Sequence, residues 1–544
     1  AQSTLPHSPN MLRSSRAMDR NSSEMILVSA HPSTQSVISG TSSTVPQRKP
    51  PPILSWRSHR SRLCLMLMLG YVASQAMRMS LSTAVVCMVN STTFHANLSD
   101  GMQTPYLHEN FTNPSCHMVA ANAESHGYKG SIEWSPNMES TLLSVPFYTT
   151  LLTITFAGTL ADTYSPKICY LVAFADMIVV TLLTPFLAQT SYAAFLIARL
   201  IMGLAEGLWG PLNGSFSGRW FPPNERSRMA GFYTSGVQVG SIIPSAITPT
   251  LCDSPLGWPA VFYIFGAVSI LWMAHFAYAA ADSPETCKTI SDEEREFLQK
   301  AIKRKAQTGP VPWKSLFTSK PIWACCIPFF AHSLSINISQ MYLPIYFRDE
   351  LMLTLDQIGL YTTTPFAAQL LGKFIMTILA DKIRERGILG PTPCAVLFQT
   401  CSSFGCAASL IALALLPSCE RQWIAGVLLA LYGFFMNLGI SGFYTALLSM
   451  APQYSGTLHS IGSFSGFLGN SAVGLLLSFV ISLKTVYTWR IIFMWCAAVN
   501  AIGGAMFYCY GSADVQDWAV SDSSCVKGTA KQRKGKVTNM EDAT

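Results

Sequence analysis

Arg78, Arg199, Glu206 and Lys373 stand inside long apolar stretches of the chain. A charge at the centre of a membrane helix costs roughly 2.5–3.5 kcal/mol on insertion scales, so such a residue normally faces a watery cavity or a partner. Arg78 lies about 15 residues into the first apolar stretch, past its middle at ~1.5 Å per residue. Arg199 lies about seven residues into the fourth, and Glu206 follows nearly two turns later, which puts both on one helix face. Two cations and one acid at staggered depths suit a carboxylate or phosphate ligand. Arginine grips such groups through its planar fork, and a desolvated glutamate can load and release a proton. The competing use of Arg199 is an internal salt bridge with Glu206 or Asp176. Lys373 is expected to snorkel toward the nearer membrane surface. His332 sits mid-stretch beside Ser333, Ser335 and Asn337. It reads either as a packing residue or as a protonatable group of the same site. His275 and His459 read as packing residues.

The elements that must position these groups are apolar runs of about 20 residues, long enough to cross a bilayer. They fall near 63–89, 138–160, 168–188, 192–214, 230–252 and 258–281, and again near 321–347, 358–380, 394–416, 423–448, 457–482 and 489–511. The expected fold is an all-α membrane protein of twelve helices in two groups of six, the groups being parallel repeats. The chain divides into a disordered tail at 1–62, a six-helix bundle at 63–281, a polar central loop at 282–320, a second bundle at 321–511 and a tail at 512–544. Half the 544 residues are hydrophobic and 12% charged, about half the charge of a soluble domain. No apolar core precedes the first long stretch, so no signal peptide is expected.

Charge settles the expected topology. With both termini inside, 28 of the 36 Lys and Arg fall in inner segments, 5 in outer ones and 3 within helices, as the positive-inside rule requires. The net charge of +7 therefore reads as a topology signal, with no nucleic-acid partner. The outer loop 90–137 carries three N-x-[ST] sequons, at Asn90, Asn97 and Asn110, marking it as glycosylated. Among the 15 cysteines, those within apolar runs, Cys87 included, read as small hydrophobes. One bridge among the outer residues Cys116, Cys252 and Cys419 stays open. No Cys/His spacing resembles a metal site. In the central loop, Ser291 and Glu294 form a capping box for a short helix read as a solvated linker between the halves.

A short repeat marks the inner ends of the second and eighth stretches, where Leu160-Ala161-Asp162 recurs as Leu379-Ala380-Asp381. Asp162 and Asp381 read as conformational latches, able to pair with basic residues of a neighbouring helix. Glycines at 203, 207, 210 and 214, and at 462, 466, 469 and 474, let helices approach closely.

Several segments carry a family resemblance. They are Arg78-Met79-Ser80-Leu81, Arg199 with Gly203-Leu204-Ala205-Glu206-Gly207, Trp220-Phe221-Pro222-Pro223-Asn224-Glu225-Arg226-Ser227, Gly257-Trp258, Ser441-Gly442-Phe443 and Ala451-Pro452-Gln453-Tyr454-Ser455-Gly456. With these the chain, over about 63–511, resembles the anion–cation symporter family of the major facilitators. That group includes sialin, the vesicular glutamate transporters and the sodium–phosphate cotransporters. Gly158-Thr159-Leu160-Ala161-Asp162 likewise resembles the facilitator G-x-x-x-D loop. The resemblance implies organic-anion recognition by Arg78, and transport and proton coupling by Arg199 and Glu206. The helix 7 arginine of glutamate-transporting members aligns with His332, and their helix 2 histidine with Leu143, which speaks against glutamate as the substrate.

The sequence reading is therefore a multi-pass transporter of a small organic or inorganic anion, coupled to H+ or Na+ and working by alternating access. It is expected to be monomeric, in contact with membrane lipid, without cofactor, with both termini cytosolic, in the plasma membrane or a lysosomal or vesicular membrane. The substrate-binding residues are Arg78, Arg199 and His332, with Glu206 as the proton-coupling group. The alternatives are a sodium-dependent inorganic phosphate cotransporter, or a receptor-like member that kept the fold without transporting. An enzyme is not expected, since no nucleophile–base or metal constellation stands out.

Overall fold

A computed structural model describes residues 55, 58–90, 130–302, 312–418, 420–451, 454–483, 485 and 487–519, all within one compact unit spanning 50–544. Asn97, Asn110, Cys116 and Cys419 lie outside the described residues, and Asn90 is the last one described before the gap. The end carrying the 90–130 connection is called outer below, and the end carrying the central loop inner.

The elements among the described residues are helices, with one isolated bridge between Val89 and Ile132. The first bundle comprises α1 (His59–Met88), α2 (Pro136–Thr163), α3 (Pro166–Thr190), α4 (Tyr192–Trp220), α5 in two pieces (Pro223–Tyr233 and Gly236–Asp253) and α6 (Pro259–Ala279). The second comprises α7 (Lys320–Asp349), α8 (Leu355–Glu385), α9 (Pro391–Leu415), α10 (Trp423–Met450), α11 (Ser455–Ser482) and α12 (Thr488–Tyr510). Among the described residues, 11 helices are long and apolar enough to cross a membrane. The twelfth, α5, falls short because its outer piece carries Gln238, Ser241, Ser245, Thr248 and two prolines.

Local chemistry sets the helix starts. Ser135, Ser165 and Ser191 each accept a bond from the backbone N–H three residues on, meeting one of the orphan donors of a first turn. Prolines at the first turns of α2, α3, α6 and α9 need no N–H partner there. Within α7 and α10 the backbone passes through one π-turn each, at Ile338–Tyr342 and Ile440–Tyr444, a feature that often marks functional sites.

Corresponding devices recur in the two bundles. A side-chain carbon on Gly203 of α4 would collide with the Pro146 carbonyl of α2, and one on Gly433 of α10 with the Pro365 carbonyl of α8. Pro146 and Pro365 stand the same distance before the repeated Leu-Ala-Asp. At the inner end Asp282, just past α6, accepts from Ser165 Oγ and Lys167 N at the start of α3, at 2.7–2.9 Å. Asp514, just past α12, accepts from Thr392 Oγ1 at the start of α9, at 2.8 Å. The side chains of Asp162 and Asp381 lie outside the described placements, so the tie seen at these helix ends is made by Asp282 and Asp514.

Three further differences from the sequence reading have physical causes. First, Cys87 is bonded to Cys252, joining the outer ends of α1 and α5. Hydropathy marks Cys87 as core but cannot show that a second sulfur faces it. Second, α1 begins at His59, inside the segment assigned to the tail, and residues 512–519 pack back on the bundle, with Ala513 and Ala519 buried.

Third, the central-loop helix Asp292–Ala301 is no solvated linker. Glu294 is 0% exposed and accepts from Ser58 Oγ (2.7 Å), His59 N (2.8 Å), Arg60 N (3.2 Å) and Arg60 Nε (2.9 Å). Arg60 also pairs with Glu225 at the start of α5. Burial pushes the Glu294 carboxyl up, but the bonds from Ser58, His59 and Arg60 outweigh it and hold the group below the usual carboxylate range. The central loop thus clasps the first bundle.

Candidate functional site

Arg78 of α1 sits where the two bundles meet. One terminal nitrogen donates to Gln340 Oε1 in the α7 π-turn at 2.8 Å. The other lies 3.8 Å from Glu206 Oε2 of α4, too far for a hydrogen bond. The guanidinium also stands over the Phe147 ring of α2, 5.1 Å from its centroid. One arginine therefore touches an acid of its own bundle and an amide of the opposite one.

Glu206 is buried, and neither carboxylate oxygen has a hydrogen-bond donor. A buried carboxylate left without donors is expensive. α4 breaks immediately after Glu206, at Gly207-Leu208, before resuming at Trp209.

Arg199 lies on the same face, 3% exposed, with Nη1 on the sulfur of Met202 at 3.1 Å and Nε unpartnered. It forms neither salt bridge open to it from the sequence. The acid nearest an arginine here is Glu206 with Arg78, and Asp176 Oδ2 has no hydrogen-bond partner.

His332, half-buried in α7, is two turns inward of Gln340. Its ring faces Phe443 in the α10 π-turn, 5.4 Å between centroids. His459 of α11 packs edge-on against Tyr444 and lies 3.4 Å from Ser463 Oγ. The structure therefore gathers Arg78, Glu206 and Arg199 into one group and sets His332 on the opposite wall.

Polar contacts between the bundles gather toward the outer end. Arg348 of α7 donates to Glu139 of α2 at 3.0 Å. Ser82 of α1 donates to the Gln340 and Met341 carbonyls at 2.8 Å each. Tyr342 donates to the Ser140 carbonyl at 3.3 Å. One contact lies further in: Lys373 of α8 donates to Thr234 Oγ1, at the break in α5, at 2.7 Å. Lys373 is not turned out to a surface as expected: it is buried, and its ammonium reaches across to Thr234 of the other bundle. Apart from Arg348, which falls just past the run at 321–347, these residues lie within the apolar runs of the sequence, but their convergence depends on how helices cross.

The pattern of the Major Facilitator Superfamily matches residues 67–474. The chain is 29% identical over 480 residues to the uncharacterized transporter slc-17.3 of Caenorhabditis elegans, covering 85% of this chain and 90% of that one. It is 25% identical to human sialin (86% and 92% covered) and 28% identical to mouse sodium-dependent phosphate transport protein 3 (85% and 95%). Among solved structures, a bacterial homolog of the human lysosomal transporter Spinster, inward-facing and unoccupied, superposes with a TM-score of 0.56. That match is 14% identical and covers 84% of this chain and 98% of the other.

Proposed function

We propose, from the premise that this chain belongs to the Major Facilitator Superfamily, that it is a secondary active transporter of a small anion working by alternating access. The relatives that match along most of its length support this reading, sialin and a sodium-dependent phosphate transport protein among them. The carrying observation is the position of Arg78, which spans from donor-free Glu206 on its own bundle to Gln340 on the other.

The geometry supplies a coupling rule. While Glu206 is charged, it holds part of the Arg78 field. Protonation of Glu206 leaves the guanidinium unneutralised within the membrane, where an anionic ligand becomes the favoured partner. The anion then competes with Gln340 for the same fork, loosening the bond between bundles. Arg199 adds positive potential from behind, and His332 lines the opposite wall.

A proton or sodium gradient drives transport, with Glu206 carrying the proton, and no organic cofactor takes part. The protein works as a monomer among membrane lipids, in the plasma membrane or a lysosomal or vesicular membrane. Both termini are cytosolic, and the outer loop is glycosylated at Asn90, Asn97 and Asn110.

The test is uptake into proteoliposomes of labelled sialate, glucuronate, glutamate, aspartate, urate and phosphate under imposed proton or sodium gradients. Gradient-driven uptake of one anion, lost in Arg78→Gln, is expected. Sodium-driven phosphate uptake alone identifies an inorganic phosphate cotransporter, and no uptake by folded protein contradicts the reading.

A further inference from the structure

We propose that Lys373 is a second anion-binding cation in the passage between the bundles, inward of Arg78, and that it selects an organic dianion as substrate. This rests on the anion-transport reading above.

Lys373 is 9% exposed. Its ammonium donates to Thr234 across the bundle interface, and among the described residues no carboxylate lies within ion-pair reach of it. A buried lysine satisfied by one hydroxyl retains two donors without a partner. Charges kept at such depth ordinarily serve a ligand path.

Its place relative to Arg78 follows from the neighbouring rings. Tyr233, next to Thr234, stacks on Tyr71 of α1, with centroids 5.9 Å apart. Tyr71, Gln75 and Arg78 follow at four- and three-residue steps and so share one face of α1. Lys373 therefore acts about two turns, roughly 10 Å, inward of Arg78.

The wall between the two cations has unspent hydrogen-bonding capacity. Gln75 Nε2 of α1 and Gln238 Oε1 of α5 are both buried without a protein partner. Leaving such groups unmet is costly, and a ligand lying along this wall would meet one donor and one acceptor.

Charge decides the ligand class. Among the described residues at these depths, the helices meeting between the bundles bring Arg78, Arg199 and Lys373 together with Glu206, an excess of two positive charges that rises to three when Glu206 takes its proton. A monoanion meets only one of the separated cations. A dianion with separated acidic groups meets two, one group on Arg78 and the other on Lys373.

The test uses the full-length protein in detergent and reads thermal stabilisation by malonate, succinate, glutarate and adipate against their monoamides. Each monoamide keeps the length and loses one charge. At least one dicarboxylate is expected to stabilise wild type at roughly tenfold lower concentration than its monoamide. Lys373→Gln and Lys373→Met should erase that preference, and Lys373→Arg should keep it. A preference retained in both neutral variants overturns the role of Lys373. Equal response to each pair, or none to any dicarboxylate, overturns the dianion assignment in wild type without depending on any variant. Uptake of a monocarboxylate in the proteoliposome panel would then leave the transport reading standing while this inference fell.

Discussion

Arg348 of α7 and Glu139 of α2 form a buried ion pair at 3.0 Å that joins the two bundles at their outer end. Asp349 accepts from the same arginine at 2.7 Å, so two acids hold one guanidinium. A transporter that alternates must break this pair to open outward. Removing one partner of a buried pair costs about 3–5 kcal/mol. Glu139→Gln or Arg348→Gln should therefore increase labelling, by an impermeant thiol reagent applied from outside, of a cysteine placed at Ser82. Exchanging the charges, Glu139→Arg with Arg348→Glu, should restore protection. Unchanged labelling in both single variants would rule out the pair as an outer gate.

The clasp made by Glu294 gives a stability prediction with a definite sign. Its folded carboxyl titrates below the usual range, so its contribution is present above the unfolded value and disappears as pH falls through the folded one. Glu294→Gln should lower the melting temperature at neutral pH, and the difference from wild type should shrink on acidification. Loss of charge-assisted bonds of this kind costs about 1.5–3 kcal/mol. A difference independent of pH would mean that the carboxylate charge is not what the clasp uses.

Glu350, just past the outer end of α7, behaves in the opposite sense. Burial pushes its carboxyl up to about 7, with Arg490 pulling it down and Asp349 pushing it further up. A folded value above the unfolded one means that stability is gained as pH falls from near 7 toward the ordinary carboxylate range, and lost as pH rises through 7. Melting temperature followed across that window should show the gain in wild type and not in Glu350→Gln. An identical profile in the two proteins would show that Glu350 does not titrate there.

The paired contacts of Gly203 on Pro146 and Gly433 on Pro365 predict equivalent packing roles in the two bundles. Gly203→Val and Gly433→Val each drive a side chain into a backbone carbonyl, and overpacking of this kind costs typically about 1–3 kcal/mol. Both variants should lower the melting temperature by comparable amounts. Gly210→Val, where nothing lies within reach of the added carbon, should not.

Sequence reading recovered what depends on local pattern. Bilayer-length apolar runs fix the helices because the chain must satisfy its own backbone in lipid, and polar breaks fix their ends within a few residues. The capping box at Ser291 and Glu294 was legible in part: Ser291 does accept from the Glu294 backbone, at 3.3 Å. The Glu294 carboxylate, however, leaves the box to cap α1, 235 residues away in sequence. Arg78, Arg199 and Glu206 were visible as charges in apolar surroundings, while the Arg78–Gln340 bond was not, since glutamine in a membrane helix is no singular signal. Lys373 was misplaced for a geometric reason. Its nearness to the end of the apolar run suggested an escape to the surface, and the run alone cannot show that Thr234 of α5 faces the ammonium.

Glu206 carries the central claim, and one comparison tests it most directly. Wild type and Glu206→Gln, in the same liposomes, are assayed for anion accumulation driven by a proton gradient and for exchange of labelled against unlabelled anion without a gradient. The coupling described above predicts that Glu206→Gln exchanges anion but no longer concentrates it. Accumulation that persists in Glu206→Gln under the proton gradient would contradict the account, because Arg78 would then bind and release its anion without a titrating partner at Glu206.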